Sequence, residues 1–148
     1  MPIRSVKRSS KRLKKYFEDN GYDYIIKRID LRKNQDIKKG LNCFWCSWNR
    51  RKALFELVQK HKCTKLALGH HKDDIIETIL LNLFFQSSIS AMCPYQELFK
   101  GKVKIIRPLA YVQEKELKDL AKYLKIPTAT CDCQGKDITK RRKVRAIV

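Results

Sequence analysis

Two groups of side chains in this chain have the types and spacing to do chemistry. The first is cysteine. Cys43-Phe44-Trp45-Cys46 sets two thiols three residues apart, and Cys131 and Cys133 form a second pair far along the chain. A thiol at a helix start is biased towards thiolate by the helix dipole, and Arg50, Arg51 and Lys52 add positive potential within two turns. A lone C-x-x-C pair fits a redox couple, a zinc knuckle or iron–sulfur ligation. Two separated clusters narrow this to a metal site, with four-ligand zinc as the competing occupant. A C-x-C half is less usual for zinc than C-x-x-C. Three thiolates on an iron–sulfur cluster would leave one iron open to a substrate or sulfur atom. Phe44, Trp45 and Trp48 flank the pair and suit base stacking or, the preferred reading, a hydrophobic shell over the cluster. Cys63 and Cys93 read as buried structural cysteines.

The second group is the run Leu66-Ala67-Leu68-Gly69-His70-His71-Lys72-Asp73-Asp74. It reads as a buried strand, a glycine, polar residues and a helix start. In open α/β sheets ligands bind beyond the carboxyl ends of the strands. Gly69 would let a ligand approach the backbone, and N–H groups at the next helix start can receive phosphate oxygens. A carboxylate such as Asp74 can bind a magnesium ion that bridges those phosphates. The alternative is that Asp73 and Asp74 simply cap the helix.

The elements that must position these residues follow from periodicity. Leu13, Tyr16 and Phe17 predict a helix over Ser9–Asn20, stopped by Asn20-Gly21. Tyr22–Ile29 is aromatic and β-branched and predicts a strand. Residues 30–42 read as a loop. Ala53, Leu54, Leu57 and Val58 predict a second helix from Cys43 to about His61. Cys63–Leu68 predicts a strand, and a third helix starts near Asp73-Asp74 and runs to about Phe85, its first-turn acids facing the positive dipole end. Ser87–Gly101 is a poorly patterned connection, Val103–Ile106 a strand, and Glu114–Leu124 an amphipathic helix closed by Ile126-Pro127. The tail from Asp137 to Val148 is basic with helical character. Strands alternating with helices predict a parallel α/β sheet of Rossmann-like type with helices on both faces.

Composition sets the outer bounds. The 148 residues suffice for one domain with a real core, and 43% hydrophobic with 33% charged residues is a globular mixture. Lys and Arg number 34 against 15 Asp and Glu, a net charge of +19, which favours a polyanionic partner such as nucleic acid. The apolar run from Ile75 to Phe85 is broken by Glu77, Thr78 and Asn82 and is too short to span a bilayer. The basic N-terminus leads into Ser9-Ser10-Lys11-Arg12 rather than an apolar signal core, which points to a cytoplasmic protein.

At three places in order the chain resembles a known family. Leu66-Ala-Leu-Gly-His-His-Lys-Asp-Asp-Ile-Ile-Glu-Thr78, Cys43-x-x-Cys46 followed by Arg50-Arg51, and Ile106-Arg-Pro-Leu-Ala-Tyr111 with Glu114-Lys115 look like the tRNA 2-thiocytidine synthetases of the PP-loop ATP pyrophosphatase superfamily. The resemblance runs from about Leu13 to the C-terminus. It implies ATP- and magnesium-dependent adenylation of a cytidine in the tRNA anticodon loop, followed by sulfur transfer with a 4Fe-4S cluster held by three cysteines. By resemblance Cys43 and Cys46 are two of those ligands and Cys131 is the third, with Cys133 as the alternative. Gly69, His70 and Asp74 match the ATP-side motif, Arg50 matches a basic residue beside the ATP and the cluster, and Asp73 stands with Asp74 and Arg50 among the catalytic candidates. The implied partners are tRNA and a sulfur donor such as a cysteine desulfurase, with room for a homodimer. The family's Ser-Gly-Gly-Lys-Asp-Ser phosphate loop does not occur in this sequence. The chain therefore reads as a single thiolation domain over 1–148, N-terminally truncated and missing its first βα unit, with another polypeptide as the potential source of the loop. Little or no thiolation by the chain alone is expected. The competing readings are a catalytically incomplete relative that serves as an RNA-binding metal-site module, and a zinc-stabilised basic domain.

Overall fold

A computed structural model of the chain describes residues 4–30, 43–128 and 140–147. Among these the elements run α1 (Arg4–Asp19), α2 (Cys43–Lys60), β1 (Lys65–Ala67), α3 (Lys72–Gln86), β2 (Tyr95–Leu98), β3 (Val103–Ile106), α4 (Glu114–Tyr123) and α5 (Lys140–Arg145). The architecture is α/β. The chain divides into two compact units: Met1–Ile25, His70–Met92 and Leu109–Val148 form the first, Ile26–Gly69 and Cys93–Pro108 the second.

The second unit holds the sheet, with strand order β1-β3-β2. β1 and β3 pair in parallel, Leu66 opposite Ile105. The Lys104 N–H donating to Thr64 O and the Leu68 N–H donating to Ile106 O, both 2.9 Å, extend the ladder at each end. Parallel pairing demands a long crossover, and residues 68–102 supply it. β2 lies where the sequence shows only an unpatterned connection. It pairs antiparallel with β3, Gln96 opposite Ile105, which makes the sheet mixed rather than wholly parallel. Tyr95-Gln96-Glu97-Leu98 is too polar to announce a strand. β3 recruits it as an exposed edge, where polar side chains are tolerated. The turn that joins β2 to β3 is strained: Phe99, Lys100 and Gly101 have φ of 52°, 56° and 82°, a left-handed region that suits glycine and costs an aromatic residue of order 1–2 kcal/mol.

α2 buries Ala53 and Val58, two of the four residues in its expected stripe. Its end is a Schellman-type cap in which Lys62 adopts φ 53° and the Cys63 N–H donates to Val58 O at 2.9 Å. This cap takes up Cys63, so β1 begins two residues later than expected. Cys63 is exposed in the turn, and Cys93 is exposed before β2. Neither is the buried structural cysteine that its residue type suggests, because both fall in connections rather than in strands.

In the first unit, α1 begins several residues ahead of the expected Ser9 and ends as read, at Gly21 with φ 66°; there the Tyr22 N–H donates to Phe17 O at 2.9 Å. Tyr22–Ile29 does not form a strand. Its alternation serves a different purpose: Tyr22 and Tyr24 turn to the same side and meet Phe17 of α1, with ring centroids 6.3 and 5.5 Å away. β-rich residues make a strand only when another backbone completes the ladder, and none among the described residues does so. The loop expected over 30–42 lies outside the described residues apart from Asp30. α4 matches its expected range within a residue, and the basic tail is helical over Lys140–Arg145. Val144 of that tail, at 1% exposure, is the most buried side chain among the described residues.

Candidate functional site

The start of α3 is a dense polar cluster in the first unit. His71 is the N-cap, with φ −112° and ψ 178°. Asp74, at the third helical position, returns its carboxylate to the His71 N–H at 3.2 Å, one arm of a capping box. The imidazole lies between two carboxylates: Nε2 is 3.3 Å from Asp74 Oδ2 and Nδ1 is 3.6 Å from Asp73 Oδ2. Nδ1 is buried and has no hydrogen-bond partner among the described residues. Asp73 also accepts from the Glu114 N–H at 2.8 Å, so it caps the first turn of α4 as well. The Lys72 N–H donates to Val112 O at 3.0 Å. One of the amide donors that a phosphate could have used is therefore already engaged. Two acids in the first turn further offset the positive end of the helix. The local field suits a cation, and a phosphate would be held best through a bound metal or a basic partner.

One turn further, Glu77 is 3% exposed among the isoleucines Ile75, Ile76 and Ile79 of the helix. A buried carboxylate needs a cation, and the basic tail supplies it: Arg145 Nε lies 3.4 Å from Glu77 Oε1. The same guanidinium bonds Glu114 of α4. That hydrogen bond, aided by Lys118, lowers the Glu114 carboxyl to about 2, and Glu114 in turn raises the Arg145 guanidinium. Arg145 thus ties α3, α4 and α5 together. Sequence reasoning gave it no role. The available signal was a solitary Glu77 among Ile75, Ile76 and Ile79, which called for a distant cation without saying which.

The start of α2, in the second unit, is different. Cys43 opens the helix and Cys46 follows three residues later. Cys46 is half-buried. No acidic residue occupies the first turn. Two thiols one turn apart at the positive end of a helix match the donor chemistry of a thiolate-bound metal. Cys131 and Cys133 lie outside the described residues, and among the described residues no three candidate ligands converge. Trp45 and Trp48 stack on each other at 5.4 Å and 9°. Phe44 is 79% exposed, so it does not share in a shell among the described residues. Arg50 is exposed on α2.

The remaining expected residues fall as follows. A Cβ added at Gly69 would meet nothing within 4 Å among the described residues, and its φ is not positive. The glycine is thus required by neither strain nor packing, and its flank is open. His70 is half-buried. Arg107 is buried and bonds the Cys93 carbonyl, while its own N–H donates to Pro94 O at 2.8 Å. Burial lowers its pKa, and nearby Arg51 adds to the effect.

These features lie within a chain that belongs to the PP-loop domain family, which matches residues 10–147. The chain is 40% identical over 138 residues to the tRNA-cytidine(32) 2-sulfurtransferase of Geobacter sulfurreducens, covering 90% of this chain and 54% of that protein. It is 37% identical over 134 residues to the same-named protein of Methylobacillus flagellatus, covering 88% and 44%. Among solved structures it resembles the U34-tRNA thiolase NcsA from Methanococcus maripaludis with its 4Fe-4S cluster, with a TM-score of 0.74 and 26% identity over 95% of this chain and 49% of that one. The chain spans about half the length of the curated relatives it matches. Among the described residues no helix is long and apolar enough to cross a membrane.

Proposed function

We propose that this chain contributes the cluster-bearing part of an ATP-dependent tRNA-sulfurating enzyme that acts on a cytidine of the anticodon loop through an adenylated intermediate. The observation that carries the reading is the ordered pair of helix starts, thiols at α2 and acids at α3, within a chain 33–40% identical to tRNA-cytidine 2-sulfurtransferases. Residues 1–148 act as one functional domain of that enzyme.

Each residue then has a role. Cys43, Cys46 and Cys131, with Cys133 as the alternative third ligand, would hold a 4Fe-4S cluster, which when bound supplies an open iron for the sulfur to be transferred. Asp74 would hold a magnesium ion, which when bound would neutralise phosphate charge. Asp73 supports it while capping α4. Gly69 and His70 border the nucleotide, and Arg50 faces anionic groups near the cysteines. A sulfur donor such as a cysteine desulfurase and a tRNA are the implied partners, and the setting is cytoplasmic. A homodimer and a polypeptide carrying the phosphate loop complete the assembly.

The test is anaerobic purification with iron and zinc analysis and a visible spectrum. About four irons per chain with broad visible absorption are expected. Cys43→Ala, Cys46→Ala and Cys131→Ala each lose the iron, and Cys93→Ala keeps it. Zinc in place of iron, or wild-type protein that takes up no iron under anaerobic reconstitution, would remove the thiolation reading. Full iron in Cys131→Ala with loss in Cys133→Ala would move the third ligand.

A further inference from the structure

The second unit contains a groove of about 840 Å³. One wall is a face of α2 that presents Trp48, Arg51, Phe55 and Gln59 at helical spacing. The other is the strained β2–β3 turn with Phe99 and Lys102. Thr64 and Val103 place it at the amino ends of the parallel strands. Gly69 and Arg107 follow the carboxyl ends of the same strands, so the groove is separate from the region where a nucleotide would bind.

Two properties restrict what fits. The first is charge. Arg51, Lys52, Lys62 and Lys102 line the groove, and Glu56, the one lining carboxylate, faces Lys27 at 3.8 Å. The second is flat apolar surface. Phe55 and Phe99 meet edge-on at 5.6 Å and 88°, and Trp48 carries the Lys52 ammonium 5.5 Å from its ring. Phe99 is 62% exposed although its backbone sits at φ 52°. Strain of this kind is retained where a side chain must be presented. The occupant must therefore be anionic and carry planar rings.

We infer that this groove binds a single-stranded segment of RNA, its bases stacked on Phe99 and Trp48 and its phosphates on Arg51, Lys62 and Lys102. Stacking on aromatics combined with a cationic track is the general mode of single-strand recognition, and a net charge of +19 favours the encounter. The inference rests on the proposed function only in naming tRNA as the natural source of the strand.

The test uses the whole chain and a short single-stranded RNA of mixed sequence. Both tryptophans of the chain are on α2, which makes their emission a local probe. Saturable quenching by the RNA is expected. Lys62→Glu with Lys102→Glu should weaken binding at least about tenfold and flatten the plot of log affinity against log salt by about 1.4, the loss of two single-strand phosphate contacts. Lys11→Glu with Lys15→Glu, the same charge change on exposed positions of α1, should leave that slope unchanged. Phe99→Ala should weaken binding with no change of slope. If the double reversal fails to fold, Lys102→Gln and Phe99→Leu are read in the same way. Unquenched tryptophan at saturation, equal effects of the two double variants, or displacement of the RNA by an acidic peptide of equal charge would overturn the inference. Intact tRNA binding in all groove variants would remove the groove and leave the thiolation reading in place. A wild-type chain that binds no tRNA would count against both, and the iron analysis then shows which of them survives.

Discussion

The starts of α2 and α3 solve the same electrostatic problem in opposite ways. Each helix presents unpaired N–H groups and a positive end. At α3 the chain answers from within: Asp74 returns to the His71 N–H, Asp73 reaches the Glu114 N–H, and Val112 O takes the Lys72 N–H. At α2 no acid occupies the first turn, and Cys43 and Cys46 stand at the first and fourth positions of the helix, whereas Asp73 and Asp74 stand at the second and third positions of α3. Among the described residues the start of α3 is capped from within the chain and the start of α2 is not. On the proposed function, a thiolate ligand set would complete α2 and a cation would complement α3.

The contrast can be broken most sharply at α2. Cys46→Ser should abolish iron retention while leaving the far-UV circular dichroism and melting temperature of the metal-free chain within error, because among the described residues no hydrogen bond of the helix runs through that thiol. A collapse of helicity in the metal-free variant would show that α2 depends on Cys46 for its own stability.

At α3 the larger effects should fall on stability. Arg145→Ala removes a cationic partner of buried Glu77 and should cost about 1–3 kcal/mol in urea unfolding. The value stays below that of a fully buried pair because the Arg145 side chain is 51% exposed. Adding Glu77→Gln to Arg145→Ala should recover part of the loss, and an unchanged or larger loss would mean that Arg145 acts through Glu114 alone.

Asp73→Ala removes the cap on α4 and should cost about 1 kcal/mol, with Asp73→Asn largely neutral since its amide oxygen can still accept. Equal losses from both would show that charge, rather than capping, is what Asp73 contributes.

The smallest effect is in pH. Glu114 is lowered from 4.5 to about 2 in the folded chain, first by its hydrogen bond to Arg145. A depressed carboxyl stabilises the fold fully above its unfolded pKa and loses that contribution as the pH falls from about 4.5 through about 2. The stability gap between the wild type and Glu114→Gln should therefore be constant from neutral pH to about 4.5 and close below it. A gap that does not change with pH would exclude the Arg145–Glu114 bond as its source.

Much of this was legible in the chain itself. The 3.6-residue apolar rows of α2 and α4, the short strand β1 and the Val103–Ile106 strand follow from local pattern, and each formed where expected within a few residues. The candidate site residues were proposed on signals of the same kind: cysteine spacing and a glycine between strand and helix are local. Tyr22–Ile29 was misread because β-propensity says how a residue fits a sheet, not whether a sheet is beside it. β2 was missed for the converse reason, since an edge strand borrows its order from a neighbour and can remain polar. Cys63 and Cys93 were misread because burial is a property of where a residue lands, and both land in turns.

What the sequence determined alone was the periodicity, the placement of thiols and acids at helix starts, and the membership of a family that those motifs carry. Only the tertiary structure decided how those acids are used. Asp73 serves two helices, Glu77 is buried against an arginine 68 residues away, as their numbers show, and four cations with three aromatics gather into one groove from α2, its cap and a distant turn. Local signals fix local geometry because the energies involved act over one helical turn or one strand pair. A buried charge or a groove is defined by whatever the rest of the chain brings to it, and no window of sequence contains that information.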